Sequence, residues 1–178
     1  MKKELRQKYK ALRRLNNNFD EIICDNLYDL VKDCKNIAVY LSINDEVNLK
    51  SLINRLLINN NVYVPFVIKG SKILEFRKLF SLDDLTLDDA KIPTSPLLDT
   101  IEVNKLDAVV LSCLACNLDG YRLGYGGGYY DQTLKTYQGI KIGVVYDNCI
   151  TSLKFQEHYD IILDYLVTEK QVIIVNKE

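Results

Sequence analysis

The residues most able to do chemistry form a glycine-rich stretch that ends in two tyrosines and a carboxylate. Five of the eight glycines lie between Gly120 and Gly128, in the segment Gly-Tyr-Arg-Leu-Gly-Tyr-Gly-Gly-Gly-Tyr-Tyr-Asp. Glycine lets the backbone adopt positive φ angles and approach a ligand closely. A predicted strand precedes this stretch and a predicted helix follows it, an order that suits anion binding by backbone N–H groups. For the glycines alone, a tight turn without a ligand is the alternative.

Two common phosphate-binding motifs do not fit this loop. A Walker A loop needs Lys followed by Ser or Thr after its last glycine, where this chain has Tyr129 and Tyr130. A dinucleotide-binding G-x-G-x-x-G that starts at Gly124 would need a glycine at position 129. A phosphate site here must therefore have another design.

Arg122 and Asp131 strengthen the phosphate interpretation. Arg122 carries a planar, permanently charged guanidinium that suits phosphate oxygens. Asp131 falls in the first turn of the predicted helix, and Mg²⁺ in proteins is usually bound by one or two carboxylates together with phosphate oxygens and water. A carboxylate is also favourable at this position simply because it lies at a helix N-terminus. For Asp131 by itself, both interpretations stay open.

The composition indicates one globular domain over residues 1–178. The chain is 48% hydrophobic, enough for a substantial core, and its formal net charge of −1 gives no global attraction to nucleic acid or acidic membranes. No apolar run approaches the roughly 20 residues that a membrane-spanning helix needs. We therefore expect a cytoplasmic monomer without nucleic-acid or membrane partners.

The start of the chain is locally basic. Residues 1–15 carry seven basic side chains against the single acidic Glu4. Apolar residues recur there at helical spacing, which predicts an amphipathic helix with Leu5, Tyr9, Leu12 and Leu15 on its inward face. A charged helix face of this kind is often only solvated, and the alternative is that it binds an anion.

The five cysteines are predicted to be reduced. Their number is odd, and a chain of this length can fold without disulfides. Cys113 and Cys116 have C-x-x-C spacing, and a zinc set with Cys149 and the single histidine, His158, is conceivable but lacks supporting ligand spacing. The favoured interpretation is buried thiols that pack as small hydrophobes.

Hydrophobic periodicity predicts the elements that must position the glycine loop. Further helices are expected over residues 20–33, 48–59 and 129–137, and strands over 37–41, 62–64, 72–76, 106–111, 140–146 and 165–167. The second helix should turn Ile22, Ile23, Leu27, Leu30 and Val31 inward. Pro65 should end its strand, and residues 83–89 should form a short helix or a solvated loop. Alternating helices and strands predict a layered α/β domain with a mainly parallel sheet.

Residues 122–131 resemble the signature R-L-G-x-G-x-G-[YF]-Y-D of the 5-formyltetrahydrofolate cyclo-ligases, also called 5,10-methenyltetrahydrofolate synthetases. The family's opening K-x-x-L-R is similar to residues 2–6, and residues 41–46 resemble the segment after its first strand. Its C-terminal D-x-x-x-D-x-x-x-T-E pattern is matched by Asp160, Asp164, Thr168 and Glu169. These matches keep their order along the chain.

The resemblance implies a reaction and a fold. The reaction is the ATP- and Mg²⁺-dependent conversion of 5-formyltetrahydrofolate to 5,10-methenyltetrahydrofolate, with release of ADP and phosphate. It would proceed by phosphorylation of the formyl oxygen and ring closure by N10, as a ligase step of one-carbon metabolism. The implied fold is a three-layer α/β/α arrangement similar to that of ribose-5-phosphate isomerases and CoA transferases.

The resemblance also implies site residues. Arg122 and Asp131 would be catalytic, and Asp131 and Asp160 would bind Mg²⁺. ATP, which would order the N-terminal helix, is expected to contact Lys2, Lys3, Glu4, Leu5, Arg6, Arg122, Leu123, Gly124, Tyr125, Gly126, Gly127, Gly128, Tyr129 and Tyr130. The folate is expected to contact Leu41, Glu46, Tyr125, Gly126, Gly127, Gly128 and Tyr129.

Four positions depart from what the family often has. They are Ser112 for proline, Cys116 for phenylalanine, Asn117 for aspartate and Gln132 for arginine. The departures leave open the shape of the folate pocket. Two alternative functions also remain at this stage: a phosphosugar isomerase of the same fold, and a non-catalytic regulator that binds a nucleotide.

Overall fold

The computed structural model describes residues 1–14 and 17–177. Leu15, which was expected on the inward face of the first helix, lies outside the described residues. The helices are α1 (Lys2–Arg13), α2 (Asp20–Val31), α3 (Lys50–Asn59) and α4 (Tyr129–Thr133), with single 3-10 turns at Asn17–Phe19, Val103–Lys105 and Asp147–Cys149.

The strands of the described chain are short and numerous. They are β1 (Asn36–Ala38), β2 (Asn61–Phe66), β3 (Glu75–Leu79), β4 (Thr86–Leu87), β5 (Pro93–Thr94), β6 (Thr100–Ile101), β7 (Ala108–Ser112), β8 (Ala115–Asn117), β9 (Arg122–Leu123), β10 (Ile140–Val144), β11 (Ile150–Thr151), β12 (Tyr165–Val167) and β13 (Val172–Ile174). Eight of them form one large sheet in the order β13-β12-β10-β7-β1-β2-β3-β6.

The middle of the large sheet is parallel, as predicted. Strands β12, β10, β7, β1 and β2 pair in parallel, and the antiparallel pairs lie at the two edges. From β1 the chain moves outward to β2, whereas from β7 it moves outward to β10 on the other side. The β1/β7 boundary is therefore the point at which strand order reverses, and ligands in open α/β sheets bind beyond the carboxyl ends of the strands at such a point.

The core lies on both faces of these central strands. All five residues of β7 are buried, which explains why its sequence is a continuous apolar run instead of an alternating one. On α2, Ile23, Leu27 and Val31 are buried as predicted, but Ile22 is 48% exposed. Cys24 is buried as well, so the buried stripe of the helix runs through Ile23, Cys24, Leu27 and Val31 and leaves Ile22 at its edge.

Pro65 does not end its strand. β2 continues through Pro65 to Phe66 and pairs there with β3. The last β2 residue in register with β1 is Tyr63, so the missing N–H of Pro65 removes no hydrogen bond to that neighbour. For the partner strand, the prediction over residues 72–76 was placed too early, since β3 starts at Glu75.

Residues 83–89 are neither a helix nor simply solvated. They contain β4, which pairs with β5 in a small two-stranded sheet. Asp88 is buried, and its carboxylate accepts hydrogen bonds from the backbone N–H groups of Val67, Ala90 and Ile92 at 3.0, 2.8 and 3.0 Å. The acidic residue therefore holds a turn together, which explains why composition alone misjudged the segment.

The helix after the glycine loop is shorter than predicted, since α4 ends at Thr133 and not near residue 137. The Thr133 hydroxyl donates to the Tyr129 carbonyl at 2.6 Å and accepts from the Leu74 backbone N–H at 2.9 Å. Tyr137 instead turns into the core, where its hydroxyl donates to the Leu106 carbonyl at 2.8 Å. Competing side-chain hydrogen bonds of this kind favour helix ends over helix interiors.

A second sheet, which the sequence did not predict, carries the start of the glycine loop. Strands β11, β8 and β9 form it, and β9 contains Arg122. Across residues 1–14 and 17–177, the structure contains no helix that is both long and apolar enough to cross a membrane.

Candidate active site

An open cleft of about 1040 Å³ lies beyond the carboxyl ends of β1 and β7. The glycine loop forms one wall and α1 runs along it. Most of the predicted site residues line this cleft, namely Lys2, Arg6, Leu41, Glu46, Arg122, Leu123, Gly124, Tyr125, Gly126, Gly127, Gly128, Tyr129, Tyr130, Asp131 and Asp160. The structure thus brings together segments from both termini and the middle of the chain.

The glycine loop needs its glycines for conformation. Gly126 has φ +102° and Gly128 has φ +71°, angles that residues with a side chain rarely adopt. Two basic side chains hold the loop by its carbonyls: Arg6 Nε donates to the Gly124 oxygen at 2.8 Å, and Lys72 Nζ donates to the Gly127 oxygen at 3.0 Å. Because Arg6 and Lys72, which lie outside the loop, hold these two carbonyls, the loop has a defined shape before any ligand binds.

Helix α1 presents a row of basic residues to the cleft. Leu5 and Tyr9 are buried and attach the helix to the domain. On the same side, Lys2 Nζ contacts Asp160 Oδ2 at 2.9 Å, and further along Arg13 Nη2 donates to the Tyr125 hydroxyl at 2.6 Å. The helix is therefore not merely a solvated basic face, and protein contacts hold it in place.

Three residues of the K-x-x-L-R segment do not line the cleft. Lys3 and Glu4 are exposed on the other side of α1, and Leu5 packs in the core. Their predicted contact with ATP stays a prediction. In this arrangement, Leu5 supports the helix while Arg6 contacts the loop and Lys2 contacts Asp160.

The two predicted metal-binding carboxylates lie at the Lys2 end of the cleft. Asp131 Oδ1 accepts a hydrogen bond from the Ile161 backbone N–H at 3.1 Å, which ties Asp131 to the residue next to Asp160. Asp160 Oδ2 accepts from Lys2 and from the Glu157 backbone N–H at 2.9 Å. Lys2 also pairs with the Glu157 carboxylate at 3.0 Å.

The donor chemistry at this end fits a hard cation that shares its shell with phosphate. In the part of the chain that the structure describes, no group of three or more His, Cys, Asp or Glu side chains is placed to hold a metal. A Mg²⁺ site needs only one or two carboxylates when phosphate oxygens and water complete the shell. Asp131 and Asp160 meet that requirement.

Arg122 lies under the loop. Its Nη1 donates to the Ser112 carbonyl at 3.3 Å, and its guanidinium lies 5.2 Å from the centre of the Tyr130 ring. Arg122 Nε is buried and has no hydrogen-bond partner among the described residues. The Arg122 guanidinium is therefore positioned between the end of β7 and the loop, and its Nε–H remains available to donate a hydrogen bond.

The other end of the cleft contains a buried carboxylate. Glu46 is buried in the segment that follows β1, and its Oε1 accepts from the Ile43 backbone N–H at 2.8 Å. Burial raises the pKa of the Glu46 carboxyl, while hydrogen bonding from Ser112, Ile43 and Tyr125 and the charge of Arg13 oppose part of the rise. Leu41 lies beside it in the cleft wall.

One further wall of the cleft was not predicted. It is largely apolar and includes Pro65, Val67, Leu74, Ile92 and Pro93. These residues come from β2, β5 and the connections around them, which meet only through long-range antiparallel pairing. A wall of this composition suits a flat aromatic ligand.

Of the four departures from the family pattern, only Ser112 lines the cleft. Cys116 is buried, and Gln132 is exposed on α4. Asn117 is buried, where its Nδ2 donates to the Leu153 carbonyl at 3.1 Å and to Gln156 Oε1 at 2.9 Å. Two of the four departures, Cys116 and Asn117, therefore lie in β8 of the second sheet.

The residues of the C-terminal motif also fall into two groups, one that lines the cleft and one that makes structural contacts. Asp160 belongs to the cleft, whereas Asp164 pairs with Lys177 and accepts from the Lys141 backbone N–H at 2.7 Å. Thr168 is buried and bonds within its own turn. Glu169 accepts from the Asp147 backbone N–H at 2.9 Å. Only the first residue of the motif is placed for chemistry.

The cysteines pack as predicted. All five are free, and Cys24, Cys113, Cys116 and Cys149 are buried. Cys113 Sγ donates to the Leu111 carbonyl at 3.6 Å. The zinc set with His158 is not formed within residues 1–14 and 17–177.

Comparisons with known proteins agree with this geometry. Residues 1–169 match the 5-formyltetrahydrofolate cyclo-ligase family. The chain is 32% identical over 144 residues to the 5-formyltetrahydrofolate cyclo-ligase of Haemophilus influenzae, which covers 76% of this chain and 77% of the relative. It is 30% identical over 152 residues to that of Mycoplasma pneumoniae, covering 82% and 83%.

A solved structure supports the same assignment. The fold is similar to Aquifex aeolicus 5,10-methenyltetrahydrofolate synthetase, with a TM-score of 0.86 and 29% identity over 99% of this chain and 94% of that chain. This agreement confirms the predicted α/β fold with a mainly parallel central sheet. On the match over residues 1–169 and these relatives, the chain belongs to the 5-formyltetrahydrofolate cyclo-ligase family.

Proposed function

We propose that the chain converts 5-formyltetrahydrofolate and ATP to 5,10-methenyltetrahydrofolate, ADP and phosphate. The observation that carries the proposal is the single cleft lined by the glycine loop, the basic face of α1, the Asp131 and Asp160 carboxylates, and the buried Glu46. One end of this cleft offers cations and carboxylates, the other end offers the buried Glu46 carboxylate, and an apolar wall also lines the cleft. These two ends suit a polyphosphate and an aromatic folate.

The chemical difficulty is a formyl group whose oxygen is a poor leaving group. Transfer of the terminal phosphoryl group of ATP to that oxygen forms an O–P bond and breaks the bond to ADP. The nitrogen N10 then attacks the formyl carbon and loses its proton to the departing phosphate or to solvent, the C–O bond breaks, and the oxygen leaves as phosphate. Both nucleophiles belong to the substrate, so the protein has to position the groups and neutralise charge.

The protein's cations supply the charge neutralisation. Lys2 and Arg6 lie on one wall of the cleft and Arg122 lies under the loop, so phosphate oxygens between them would meet positive charge from more than one side. Asp131 and Asp160 would hold Mg²⁺, which would supply positive charge to neutralise the phosphate groups. Arg122 and Asp131 are the residues for which we propose direct catalytic roles.

The folate would occupy the far end. Glu46 would accept hydrogen bonds from N–H groups of the pterin or hold N10, and Leu41 and Tyr125 would contact the ring. Tyr129 is available for stacking, since its ring lies on the cleft wall with Lys72 Nζ 4.8 Å from its centre. The reduced thiols are consistent with the cytoplasm as the working compartment, which we also propose.

The test is a direct assay. Protein, MgATP and 5-formyltetrahydrofolate are mixed, and the methenyl product is followed by its near-ultraviolet absorbance in acid. We expect product only when ATP and Mg²⁺ are both present. Absence of ATP-dependent product from folded protein would contradict the proposal. ATP binding without turnover would instead favour a nucleotide-binding regulator, and isomerisation of a sugar phosphate would favour a phosphosugar isomerase.

A further inference from the structure

Arg13 is an unusual buried cation. Its side chain lies in the wall of the cleft at the C-terminal end of α1, yet only 4% of the residue is exposed. Neither Nε nor Nη1 has a hydrogen-bond partner among the described residues, and only Nη2 is engaged, by the Tyr125 hydroxyl. Leaving buried donors without acceptors is costly, so a native structure that does so calls for a functional reason.

The position of Arg13 along α1 indicates which ligand it serves. An α-helix rises about 1.5 Å per residue, which places Arg13 about 10 Å beyond Arg6 and further still from Lys2. Lys2 contacts Asp160, and Arg6 contacts the Gly124 carbonyl, so that part of the helix belongs to the proposed phosphate end. Arg13 instead belongs to the end that contains Glu46.

The surroundings of Arg13 match the hydrogen-bonding edge of a pterin. Arg13 offers only donors, and the Glu46 carboxylate, when ionised, offers only acceptors. The Tyr125 hydroxyl accepts from Arg13 and lies within the hydrogen-bonding environment of Glu46, so one group with both capacities bridges the two charges. A 2-amino-4-oxopterin presents the same combination, since its 4-oxo group accepts and its neighbouring N3–H and 2-amino groups donate.

The loop that carries Tyr125 could yield this position to a ligand. Tyr125 is flanked by Gly124 and Gly126, and its side chain is 44% exposed. A hydroxyl group on a glycine-flanked loop can be displaced with less strain than one fixed in a strand.

We propose that Arg13 is a further substrate-binding residue, whose guanidinium donates to the 4-oxo group of the folate's pterin in place of the Tyr125 hydroxyl, while Glu46 accepts from the pterin's N–H groups. This inference rests on the proposed function, because that function makes a reduced folate the occupant of the cleft. It assigns recognition of the pterin's donor and acceptor atoms to two oppositely charged residues from α1 and the segment after β1.

The test compares Arg13→Gln and Arg13→Lys with the wild type. Lys8→Gln is the matched control, since Lys8 is an exposed residue of the same helix outside the cleft. Calorimetry measures the binding of 5-formyltetrahydrofolate without nucleotide, and separately the binding of a non-hydrolysable MgATP analogue. We expect folate affinity to fall about 10- to 100-fold in both Arg13 variants, with nucleotide affinity within about two-fold of the wild type.

A structural role for Arg13 predicts a different result. Removing a buried cation with unpartnered donors should leave the unfolding temperature unchanged or raise it, whereas loss of a structural residue would lower it. If Arg13→Gln does not fold, Arg13→Lys, which keeps the positive charge, still tests whether Arg13 binds the folate. Wild-type folate affinity in Arg13→Lys, or a loss of nucleotide affinity in either variant, would overturn the inference.

A second ligand locates the contact. In the 4-amino analogue of the folate, the acceptor oxygen is replaced by a donor, so wild-type protein should bind it more weakly. The penalty for this replacement should shrink in Arg13→Lys if Arg13 contacts the 4-oxo group, and an equal penalty in both proteins would contradict that contact. If the wild type binds folate but forms no methenyl product, the proposed function fails while this inference survives.

Discussion

The two ends of the cleft use charge in opposite ways. At the phosphate end, defined by Lys2, Arg6, Asp131 and Asp160, the charged groups already have protein partners, and Lys2 lies between two carboxylates. At the pterin end, defined by Arg13 and Glu46, the charges are desolvated and incompletely paired. The first arrangement can exchange protein partners for a polyphosphate and a cation. The arrangement at the pterin end lowers the stability of the fold but discriminates between the hydrogen-bonding patterns of ligands. Unpaired buried polar groups strongly reject a ligand that cannot form hydrogen bonds with them.

The largest expected effect is at the phosphate end. Asp131→Asn should lower kcat/KM by about 10³-fold, because metal-assisted charge stabilisation contributes several kcal/mol to such a transition state. The amide oxygen can still accept from the Ile161 N–H, so the variant should stay folded. Steady-state formation of the methenyl product and a melting curve measure the two effects.

Gln132→Ala is the control for Asp131→Asn, since Gln132 is an exposed neighbour on the same helix. It should keep wild-type activity. Near-wild-type turnover in Asp131→Asn would remove Asp131 from the metal site and leave Asp160 as its single protein carboxylate.

Glu46→Gln should separate function from stability at the pterin end. We expect kcat/KM to fall by about 10²-fold, since a site left with a mismatched buried group discriminates by factors of this order or more. The folded-state pKa of Glu46 is raised, so its contribution to stability is fully present below the ordinary carboxyl pKa and is lost as pH rises through the raised pKa. At neutral pH the variant should therefore melt at the wild-type temperature or above.

The pH dependence of melting provides the check on Glu46. Between the ordinary carboxyl pKa and neutral pH, wild-type stability should decline relative to Glu46→Gln. The groups that act on this carboxyl are the Arg13 charge and the side chains of Ser112 and Tyr125, and all remain in the variant. A lower melting temperature for Glu46→Gln across this range would mean that the carboxylate stabilises the fold.

Removing residues 1–6 should weaken binding mainly at the phosphate end, and it also removes the buried Leu5 that attaches α1 to the domain. The truncation deletes Lys2 and Arg6, and MgATP affinity should fall by about 10-fold, in line with the loss of charge-assisted hydrogen bonds. Because charges at this end are partly exposed, the difference should shrink at high salt. Equilibrium titration of MgATP at two ionic strengths measures this, and unchanged ATP affinity would contradict the hypothesis that bound ATP orders this segment.

The smallest effect on catalysis is expected at Asn117. Asn117→Asp restores the residue that the family often has, but it would place a carboxylate against two oxygen acceptors, those of Leu153 and Gln156. We expect a loss of about 1–3 kcal/mol in the free energy of unfolding, with KM for the folate unchanged. A changed KM at full stability would mean that the second sheet shapes the pterin end.

Much of the phosphate end could be predicted from the sequence because its residues lie in contiguous segments. The glycine-rich stretch with Arg122 and Asp131 spans the twelve residues from Gly120 to Asp131, and four of the five residues of β7 are apolar, which is typical of a buried strand. The N-terminal helix was predicted from its periodicity. Local patterns of this kind survive folding because neighbours in sequence stay neighbours in space.

The pterin end was only partly predicted. Arg13 is one of seven basic residues in its segment, and nothing in the periodicity distinguishes it from Lys8 or Arg14. The apolar wall depends on two features that local sequence patterns did not predict. β2 continues through Pro65, where the proline predicted the end of a strand. The buried Asp88 holds a turn in a segment whose acidic composition predicted a short helix or a solvated loop. Long-range pairing overrides local propensity at these positions.

The contact between Lys2 and Asp160 joins residues 158 positions apart. During synthesis, the N-terminal helix is therefore made long before Asp160. Its basic, amphipathic surface stays without this partner until the chain has been synthesised as far as residue 160. Contacts of this sequence separation form late and slow folding. Recovery of activity after denaturation should consequently trail the recovery of helical structure.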